Sequence, residues 1–336
     1  MKGFDLWVGG YTPNMGGTAQ GISLLRCESD GTRLELVGMT PTSSPSFLAA
    51  GLGGVLYATD ESGTDGLGTV ATGRIDAFRL GPDSSLEPLG GQPTSGGYPC
   101  HVSVTADRLY VSNYLDGSID VFPLGLDGLI GERVQTLAAA GSGPDPVQSG
   151  PHAHSTLVWG STVLSADLGA DRVHVHSVVG RAVARTASVA LPPGTGPRDL
   201  FAHQGRVILL GELGGTIFAL DAHGQVAASG TIAEHWVEGD HAAALAVDGS
   251  GRFLYTGLRG SNRIAVIRAS DLSPVTAIPC GGGWPRHLCV VGDLLLVANE
   301  RSSTVATFRL DEATGIPYPL GSPVDVASPT FLLPVL

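Results

Sequence analysis

Several features are scarce in this 336-residue chain, and each scarcity excludes a class of protein. The chain has 19 Lys and Arg residues against 31 Asp and Glu, a net charge of −12, which argues against nucleic acid and anionic membranes as partners. No apolar run reaches the length that spans a bilayer. The chain opens directly in strand-like sequence without a basic and apolar leader, so we expect a cytoplasmic location.

Cysteine is also scarce, and its spacing predicts no special chemistry. The four cysteines are Cys27, Cys100, Cys280 and Cys289; no CxxC pair occurs, and no His/Cys cluster has zinc spacing. We therefore expect buried free thiols, no metal and no cofactor. The sequence also lacks a GxSxG motif, which disfavours a covalent serine mechanism.

What the chain does contain is glycine, proline and short apolar runs. It has 49 Gly and 22 Pro, is 43% hydrophobic and only 15% charged, and is therefore globular. The apolar runs are short, rich in Val, Leu, Ile and Tyr, and broken by Gly, Asp and Asn. No helical i, i+3, i+4 pattern is sustained, so these runs predict β-strands.

The runs belong to an internal repeat. Each unit has three clear apolar runs and a weaker fourth, and the spacing of roughly 43 to 54 residues is the period of a propeller blade. Runs such as "RLYVSN" are apolar on both faces, as a strand between two neighbouring blades must be. The units open at Pro45, Pro99, Ala153, Pro197, Asp240 or a neighbour, and Pro285, with a single run at Pro329.

The two ends of the chain complete a seventh unit. The tail "PTFLLPVL" supplies one strand, and the N-terminal "LWVGGY" and "GISLLRC" supply the next strands. We therefore predict an all-β fold, a seven-bladed propeller in one domain over 1–336, with its last blade closed by N- and C-terminal strands. Two sandwich domains would not explain why one unit is divided between the ends.

Three columns of residues should meet at one end of the central channel, because the second strand of a blade runs antiparallel to the first. The column after each opening residue contains Ser46, Cys100, His154, Arg198 and Arg286. The column closing the second strand contains Asp60, Asn113, Asp167, Gly211, Leu258 and Asn299, and is mostly explained by turn formation. The next column contains Glu61, Tyr114, Leu168, Glu212, Arg259 and Glu300.

The mixture of Arg, His, Glu and Tyr in these columns predicts a ligand site for an anion. Arginine holds a carboxylate or phosphate through a planar fork, although the arginines could instead pair with the glutamates of the next column. His101 and His287 lie one residue beyond the first column and should be structural, because side chains alternate along a strand.

Motifs along almost the whole chain carry a family resemblance. They are "VGGYT", "GPHAHS", "ADLGADRVHVH", "LPPGTGPRDL", "GELGGT", "GRFLYTGLRGSNRIAV", "GGGWPRHL" and "VANERSSTVATFRLDEATG". In their order and spacing they resemble the seven-bladed propeller lactonase family, which includes bacterial 6-phosphogluconolactonases and a fungal enzyme that cyclises 3-carboxy-cis,cis-muconate.

The resemblance implies a set of functional residues. The catalytic residues would be His154, Arg198, Glu212 and Arg259, the positions that match the cyclising enzyme. Arg286 falls in the same pattern, and substrate binding would involve Arg286, Glu61, Tyr114, Asn113 and Glu300. The chain departs from the family at "PHAH", where Pro-His-Pro-His is usual, and at "AAALAV", where a Glu-Ile-His is often found.

We therefore expect a hydrolase of a small anionic lactone, with 6-phosphogluconolactone of the pentose phosphate pathway as the first candidate. Glu212 or His154 would act as the base and the other as the acid. Cyclisation of 3-carboxymuconate and hydrolysis of another lactone remain alternatives. A non-catalytic propeller that binds proteins is the alternative from another class, since this fold hosts both.

Overall fold

The structure, a computed structural model, describes residues 3–62, 72–221 and 223–335. In this part of the chain the strands are joined by turns, and one short 3-10 turn spans Pro13–Met15. The strands are β1 Phe4–Gly10, β2 Gly21–Cys27, β3 Leu34–Pro41, β4 Pro45–Ala50, β5 Val55–Asp60, β6 Arg74–Leu80, β7 Leu86–Pro93, β8 Pro99–Val104, β9 Arg108–Asn113, β10 Ile119–Pro123, β11 Gln135–Leu137, β12 Ala153–Trp159, β13 Thr162–Asp167, β14 Arg172–Val179, β15 Ala182–Ala190, β16 Pro197–His203, β17 Arg206–Gly211, β18 Thr216–Leu220, β19 Val226–Thr231, β20 Ala242–Val247, β21 Phe253–Leu258, β22 Arg263–Arg268, β23 Pro274–Pro279, β24 Pro285–Val291, β25 Leu294–Asn299, β26 Thr304–Leu310, β27 Pro317–Pro319, β28 Val324–Asp325 and β29 Pro329–Pro334.

The described strands form seven sheets, which confirms the predicted seven-bladed propeller. Six sheets are built from consecutive strands: β4 to β7, β8 to β11, β12 to β15, β16 to β19, β20 to β23, and β24 to β27 with β28 added on β26. The seventh has the order β29-β1-β2-β3, so its strands come from both ends of the chain as predicted. The weak fourth run of each repeat is a real outer strand.

The split sheet is closed by a continuous ladder. β1 pairs antiparallel with β29 from Leu6 opposite Pro334 to Gly10 opposite Pro329, and its other edge pairs with β2. β1 therefore has no free edge, which is the usual liability of a sheet. Leu6 and Leu332 are buried in one cluster with Leu296 of the preceding sheet.

Burial is highest in the second strand of a sheet and lowest in the fourth. The second strands β5, β21 and β25 are buried at every position, as their apolar sequences predict. Outer strands such as β19 are exposed at most positions. Neighbouring sheets share their cores: Phe253 and Tyr255 of β21 belong to one cluster with Val297 of β25 and Phe308 of β26.

Two compact units divide the chain. The first unit comprises residues 1–42, 210–219 and 226–336, and the second comprises 43–209 and 220–225. The assignment of a single domain to 1–336 stays a prediction. In the described ranges no helix is long and apolar enough to cross a membrane.

The residues expected to be structural are in structural environments. Cys27, Cys100 and Cys280 are buried, Cys289 is half-buried, and burial raises the pKa of the Cys27 thiol to about 11. His101 accepts a hydrogen bond from the Thr156 backbone N–H at 3.4 Å. His287 accepts one from the Leu332 backbone N–H at 3.2 Å, so both rings tie neighbouring blades together.

His176 on β14 is a fully buried histidine. Its Nε2 lies 3.0 Å from the Ser165 hydroxyl, and the His174 ring, which pairs with Asp167, lies 6.3 Å away. Burial, reinforced by the charge of Arg185 and by His174, lowers the pKa of His176 to about 3. The folded protein therefore contains this imidazole in its neutral form.

Removal of β29 should destabilise the protein strongly. A chain that ends before Pro329 exposes the inner edge of β1 and loses the buried Phe331 and Leu332, and truncation of one such side chain alone costs about 2–5 kcal/mol. We expect aggregation or loss of cooperative thermal unfolding by circular dichroism. The control is a chain that ends at Pro334. Equal melting temperatures for the two chains would show that closure by β29 is dispensable.

The buried His176 should make stability fall in acid. Its folded pKa of about 3 lies below the value of about 6.5 expected in the unfolded chain, so between these values the unfolded state binds the extra proton. The contribution of His176 is then complete above about pH 6.5 and decreases by up to about 1.4 kcal/mol per pH unit toward pH 3. Burial also lowers the pKa of His101 to about 3, so His101 adds a second contribution of the same sign. In urea melts His176→Asn should flatten this slope, whereas His223→Asn at an exposed position should not; identical slopes in wild type and His176→Asn would contradict the assignment.

Candidate functional site

A β-bulge follows the opening residue of the blades and sets the first column. The pairing register shifts between Pro99 and His101, between Ala153 and Ser155, and between Pro285 and His287. A bulged residue is left out of the ladder, and the bulge re-aims its side chain. Cys100, His154 and Arg286 occupy this position, so the first column predicted from sequence is a recurrent backbone feature.

The fifth blade opens at Ala242, because Ala242 pairs with Leu258 as Pro285 pairs with Asn299. The sequence predicted only that this blade opens at Asp240 or a neighbouring residue. Asp240 instead accepts hydrogen bonds from the backbone and hydroxyl of Ser261 at 2.6 and 3.0 Å. Its role is therefore to hold the turn after β21.

A repeated backbone hydrogen bond places the third column. The residue that follows the second strand donates its N–H to the carbonyl of the residue just before the first strand, at 2.8–3.1 Å. The donor–acceptor pairs are Glu61 to Ser44, Tyr114 to Tyr98, Leu168 to His152, Arg259 to His241, Glu300 to Trp284, and Tyr11 to Ser328. The last pair adds Tyr11, which the sequence reasoning missed because its blade is divided between the two ends. Aligning "VGGYT" with "ATDES" and "VSNYL" would have found it.

In the first unit, Glu212 and Arg259 form a buried ion pair. Glu212 follows β17 and is 9% exposed, and Arg259 follows β21 and is 5% exposed. Arg259 Nη2 lies 2.5 Å from Glu212 Oε1, and Arg259 Nε donates to the His241 carbonyl at 3.2 Å. Removing one partner of a buried pair costs about 3–5 kcal/mol, because the other charge is left uncompensated.

His241, which the sequence reasoning did not select, joins this pair. Its Nδ1 lies 3.4 Å from Glu212 Oε1, and its side chain is 33% exposed whereas that of Glu212 is 11% exposed. The imidazole therefore lies between a buried carboxylate and solvent. The neighbouring "AAALAV" of β20 contributes only apolar side chains, so His241 is the polar group of this segment that reaches Glu212.

Trp284 lies beside the same group. The Arg259 guanidinium carbon lies 5.5 Å from the centre of the indole ring, that of Arg301 lies 3.3 Å from it, and the His241 ring lies 6.4 Å away. The Trp284 backbone N–H donates to Asn262 Oδ1 at 2.7 Å. The sequence reasoning used Trp284 only as part of a motif and did not select Arg301.

Arg286 and Glu300 are paired with each other. Arg286 Nη1 lies 3.3 Å from Glu300 Oε2, and both side chains are 17% exposed. The Arg286 guanidinium also lies over the Tyr11 ring, 4.7 Å from its centre, and donates to the Tyr11 hydroxyl. Arg286 therefore pairs with a glutamate of the next column, which was the alternative to anion binding. Substrate binding by Arg286 and Glu300 stays a prediction.

The second unit contains the remaining predicted residues. His154 is half-buried, and its ring lies edge-on to the Tyr114 ring with centres 5.8 Å apart. Tyr114 in turn stacks on His152 at 4.3 Å. Arg198 and Glu61 are buried, at 8% and 7% exposure. Catalysis by His154 and Arg198 and binding by Glu61 and Tyr114 stay predictions.

The column that closes the second strands is used for turns. Asn113 donates to the Ser118 hydroxyl and to Asp120, each at 3.0 Å, and Asn299 donates to the Cys280 carbonyl at 3.2 Å. These contacts fit the structural interpretation of this column. Substrate binding by Asn113 stays a prediction.

Across residues 3–62, 72–221 and 223–335 no group of three or more His, Cys, Asp and Glu side chains could hold a metal ion.

Comparison with known proteins places this geometry in a family context. The family model described as "Lactonase, 7-bladed beta-propeller" matches residues 5–334. A 6-phosphogluconolactonase of Bacillus subtilis is 29% identical over 343 residues, covering 96% of each chain, and one of Formosa agariphila is 26% identical, covering 92% of this chain and 93% of its own. The solved structure of a periplasmic gluconolactonase of Pseudomonas aeruginosa superposes with a TM-score of 0.91 at 27% identity, covering 100% of this chain and 99% of its own.

Proposed function

Because the chain belongs to the seven-bladed β-propeller lactonase family, we propose that it hydrolyses a sugar lactone, with 6-phosphogluconolactone as the favoured substrate. The observation that carries this proposal is the buried Glu212–Arg259 pair with His241 beside it. The names of the Bacillus subtilis and Formosa agariphila relatives support the choice of the phosphorylated lactone.

Lactone hydrolysis needs three groups. A base removes a proton from the attacking water, a cation or hydrogen-bond donor stabilises the oxyanion of the tetrahedral intermediate, and an acid protonates the ring oxygen as the ester bond breaks. His241 and Glu212 together suit the first role. His241 Nδ1 lies 3.4 Å from Glu212 Oε1, and in the proposal it carries the imidazole proton, which would leave the lone pair on Nε2 to accept a proton from water.

Arg259 suits the second role. Its Nη2 is fixed by Glu212 and its Nε by the His241 carbonyl, so the guanidinium plane is held rigidly. Such preorganisation lets the cation stabilise a developing oxyanion without reorganising during the reaction. In the proposal the same Arg259 side chain contacts Glu212 of the base and donates to the oxyanion.

The other predicted residues complete the proposal. His154 is the candidate acid for the ring oxygen, Arg198 is a second catalytic cation, and Arg286, Glu300, Glu61, Tyr114 and Asn113 bind the substrate. A cytoplasmic location and the absence of nucleic-acid or membrane partners remain part of the proposal. One structural neighbour is named as a periplasmic enzyme, so the compartment needs its own measurement.

The substrate is tested with three compounds. Purified protein is offered 6-phosphogluconolactone, glucono-1,5-lactone and 3-carboxy-cis,cis-muconate, with acid release followed by pH-stat and muconate by ultraviolet absorbance. We expect the phosphorylated lactone to have the highest kcat/KM above spontaneous hydrolysis. Turnover of the muconate alone would establish the cyclase alternative, and no turnover of any compound would favour the protein-binding propeller.

Replacement of the base should abolish most activity. We expect Glu212→Gln and His241→Asn each to lower kcat by about 10²-fold or more, the size of effect usual for a positioned base. The matched control is Glu238→Gln, which removes an exposed carboxylate three residues before His241. Circular dichroism must show that each variant is folded, since the Glu212–Arg259 pair is buried. Wild-type kcat in both folded variants would refute the assignment.

His154 is tested independently of this pair. His154→Ala should lower kcat by about 10²-fold or more if the imidazole protonates the leaving oxygen, because an acid acts in the transition state. The control is His235→Ala, at an exposed position. A change in KM alone would limit His154 to binding, and unchanged kinetics would exclude it from the site.

A further inference from the structure

We infer that Arg301, held against Trp284, recognises the anionic substituent of the substrate and so selects a phosphorylated lactone over a plain one. This inference rests on the proposed function. It assigns a specificity role to two residues that the repeat pattern did not select.

The first support is the stacking of Arg301. Its guanidinium carbon lies 3.3 Å from the centre of the Trp284 ring, and Arg301 is exposed. A guanidinium that stacks on an aromatic face keeps its N–H groups in the guanidinium plane, where they remain available to an anion. Trp284 therefore acts as a support that fixes an otherwise flexible side chain in a defined position.

The second support is the distribution of carboxylates around the arginines. Arg259 pairs with Glu212, Arg286 with Glu300, and Arg263 with Asp240 at 3.2 Å. Within the described ranges Arg301 forms no ion pair with a carboxylate, although Glu300 is its neighbour in sequence. Of the two arginines on the indole, Arg301 is thus the one that forms no ion pair among the described residues.

The third support is the backbone at Trp284. Its φ is +65°, in the left-handed region that is costly for a bulky residue. The residue that precedes the first strand has a positive φ in four further blades, where it is Ser44, Tyr98, Gly196 and Ser328. Glycine and serine satisfy this backbone geometry with small side chains. The geometry itself therefore does not require an indole, and the ring contributes through its contacts with Arg259 and Arg301.

The chemistry of the ligand fits this arrangement. A phosphate monoester carries a charge near −2 at neutral pH and offers three acceptor oxygens, which suit the fork of a guanidinium. Arg259 and Arg301 both lie against the Trp284 indole, and the proposal has one small ligand contact both. We assign the reacting carbonyl to Arg259 and the phosphate to Arg301.

The test compares two substrates across matched variants. For wild type, Arg301→Gln, Arg301→Lys and Trp284→Leu, kcat/KM is measured on 6-phosphogluconolactone and on glucono-1,5-lactone. Arg301→Gln should lower the ratio of the two values by about 10- to 100-fold, the size of effect of a hydrogen bond to a charged group. Arg301→Lys should restore part of the ratio, because the charge stays and the fork is lost. Trp284→Leu should lower the ratio even though Arg301 is retained.

The control is Arg309→Gln, since Arg309 is exposed in the same blade and lies 3.6 Å from Asp293. It should leave both kcat/KM values unchanged. An unchanged ratio in Arg301→Gln, or an equal loss on both substrates, would overturn the inference.

A binding experiment separates this inference from the proposed function. If the wild type hydrolyses neither lactone, the proposed function fails, and calorimetric titration with 6-phosphogluconate and gluconate still reports on Arg301. Tighter binding of the phosphorylated acid by wild type, lost in Arg301→Gln, would support the anion subsite. Equal affinity for the two acids in wild type, or an equal preference in both proteins, would overturn it.

Discussion

One backbone hydrogen bond, repeated from blade to blade, determines where the candidate functional side chains lie. It joins the N–H of the residue after the second strand to the carbonyl of the residue before the first strand, as from Arg259 to His241 and from Glu300 to Trp284. The bond needs no particular side chain, so any residue can occupy either end. Its consequence is that chemically unrelated side chains are presented at the same local position by an unchanging scaffold. Arg259 and His241 owe their proximity to this bond before any attraction between side chains is counted.

Charge compensation then limits what these side chains can do. A guanidinium already paired with a buried carboxylate, as Arg259 is with Glu212, is held in place. Because the carboxylate offsets its charge, the pair attracts a distant anion only weakly. Such a group suits a transition state, in which a developing charge meets preformed donors. A guanidinium supported by an aromatic ring, as Arg301 is by Trp284, retains its full charge at the edge of the site. The two kinds of arginine have different uses because their partners differ, although the side chain is the same.

The fold could be predicted from the sequence because its cause is periodic. Apolar runs at a regular spacing predict the strands. The division of one unit between the two ends of the chain predicts which strands close the ring of blades. The site was only partly predictable. Positions such as Glu212 and Arg259 follow from the repeat, but their direct contact depends on side-chain conformation, which a repeat does not encode. His241 was missed because it occupies the position before the first strand, as Trp284 does, and no column of the repeat included that position.

Tyr11 and Trp284 show two further limits of reasoning from a repeat. Tyr11 occupies the same position as Glu300, but its blade has no complete copy in the sequence, so no column included it. Trp284 precedes the opening proline, a position that Ser44, Tyr98, Gly196 and Ser328 fill in other blades. When a residue type occurs in only one blade, comparison with the other blades does not indicate its role, and its contacts in the structure are needed. The departures from the repeat are therefore where the structure adds most to the sequence.

The split blade has a consequence for how the chain is made. Residue 6 pairs with residue 334, so β1 can find its inner neighbour only after residue 334 has been synthesised. Contacts between residues so distant in sequence slow folding, because the entropy of closing a long loop is lost before the contact is gained. Until then β1 presents an unpaired edge and the apolar side chains Leu6 and Val8 to the surrounding solution. The blade that contains both β1 and β29 is therefore the one whose strand edge stays unpaired for longest during synthesis.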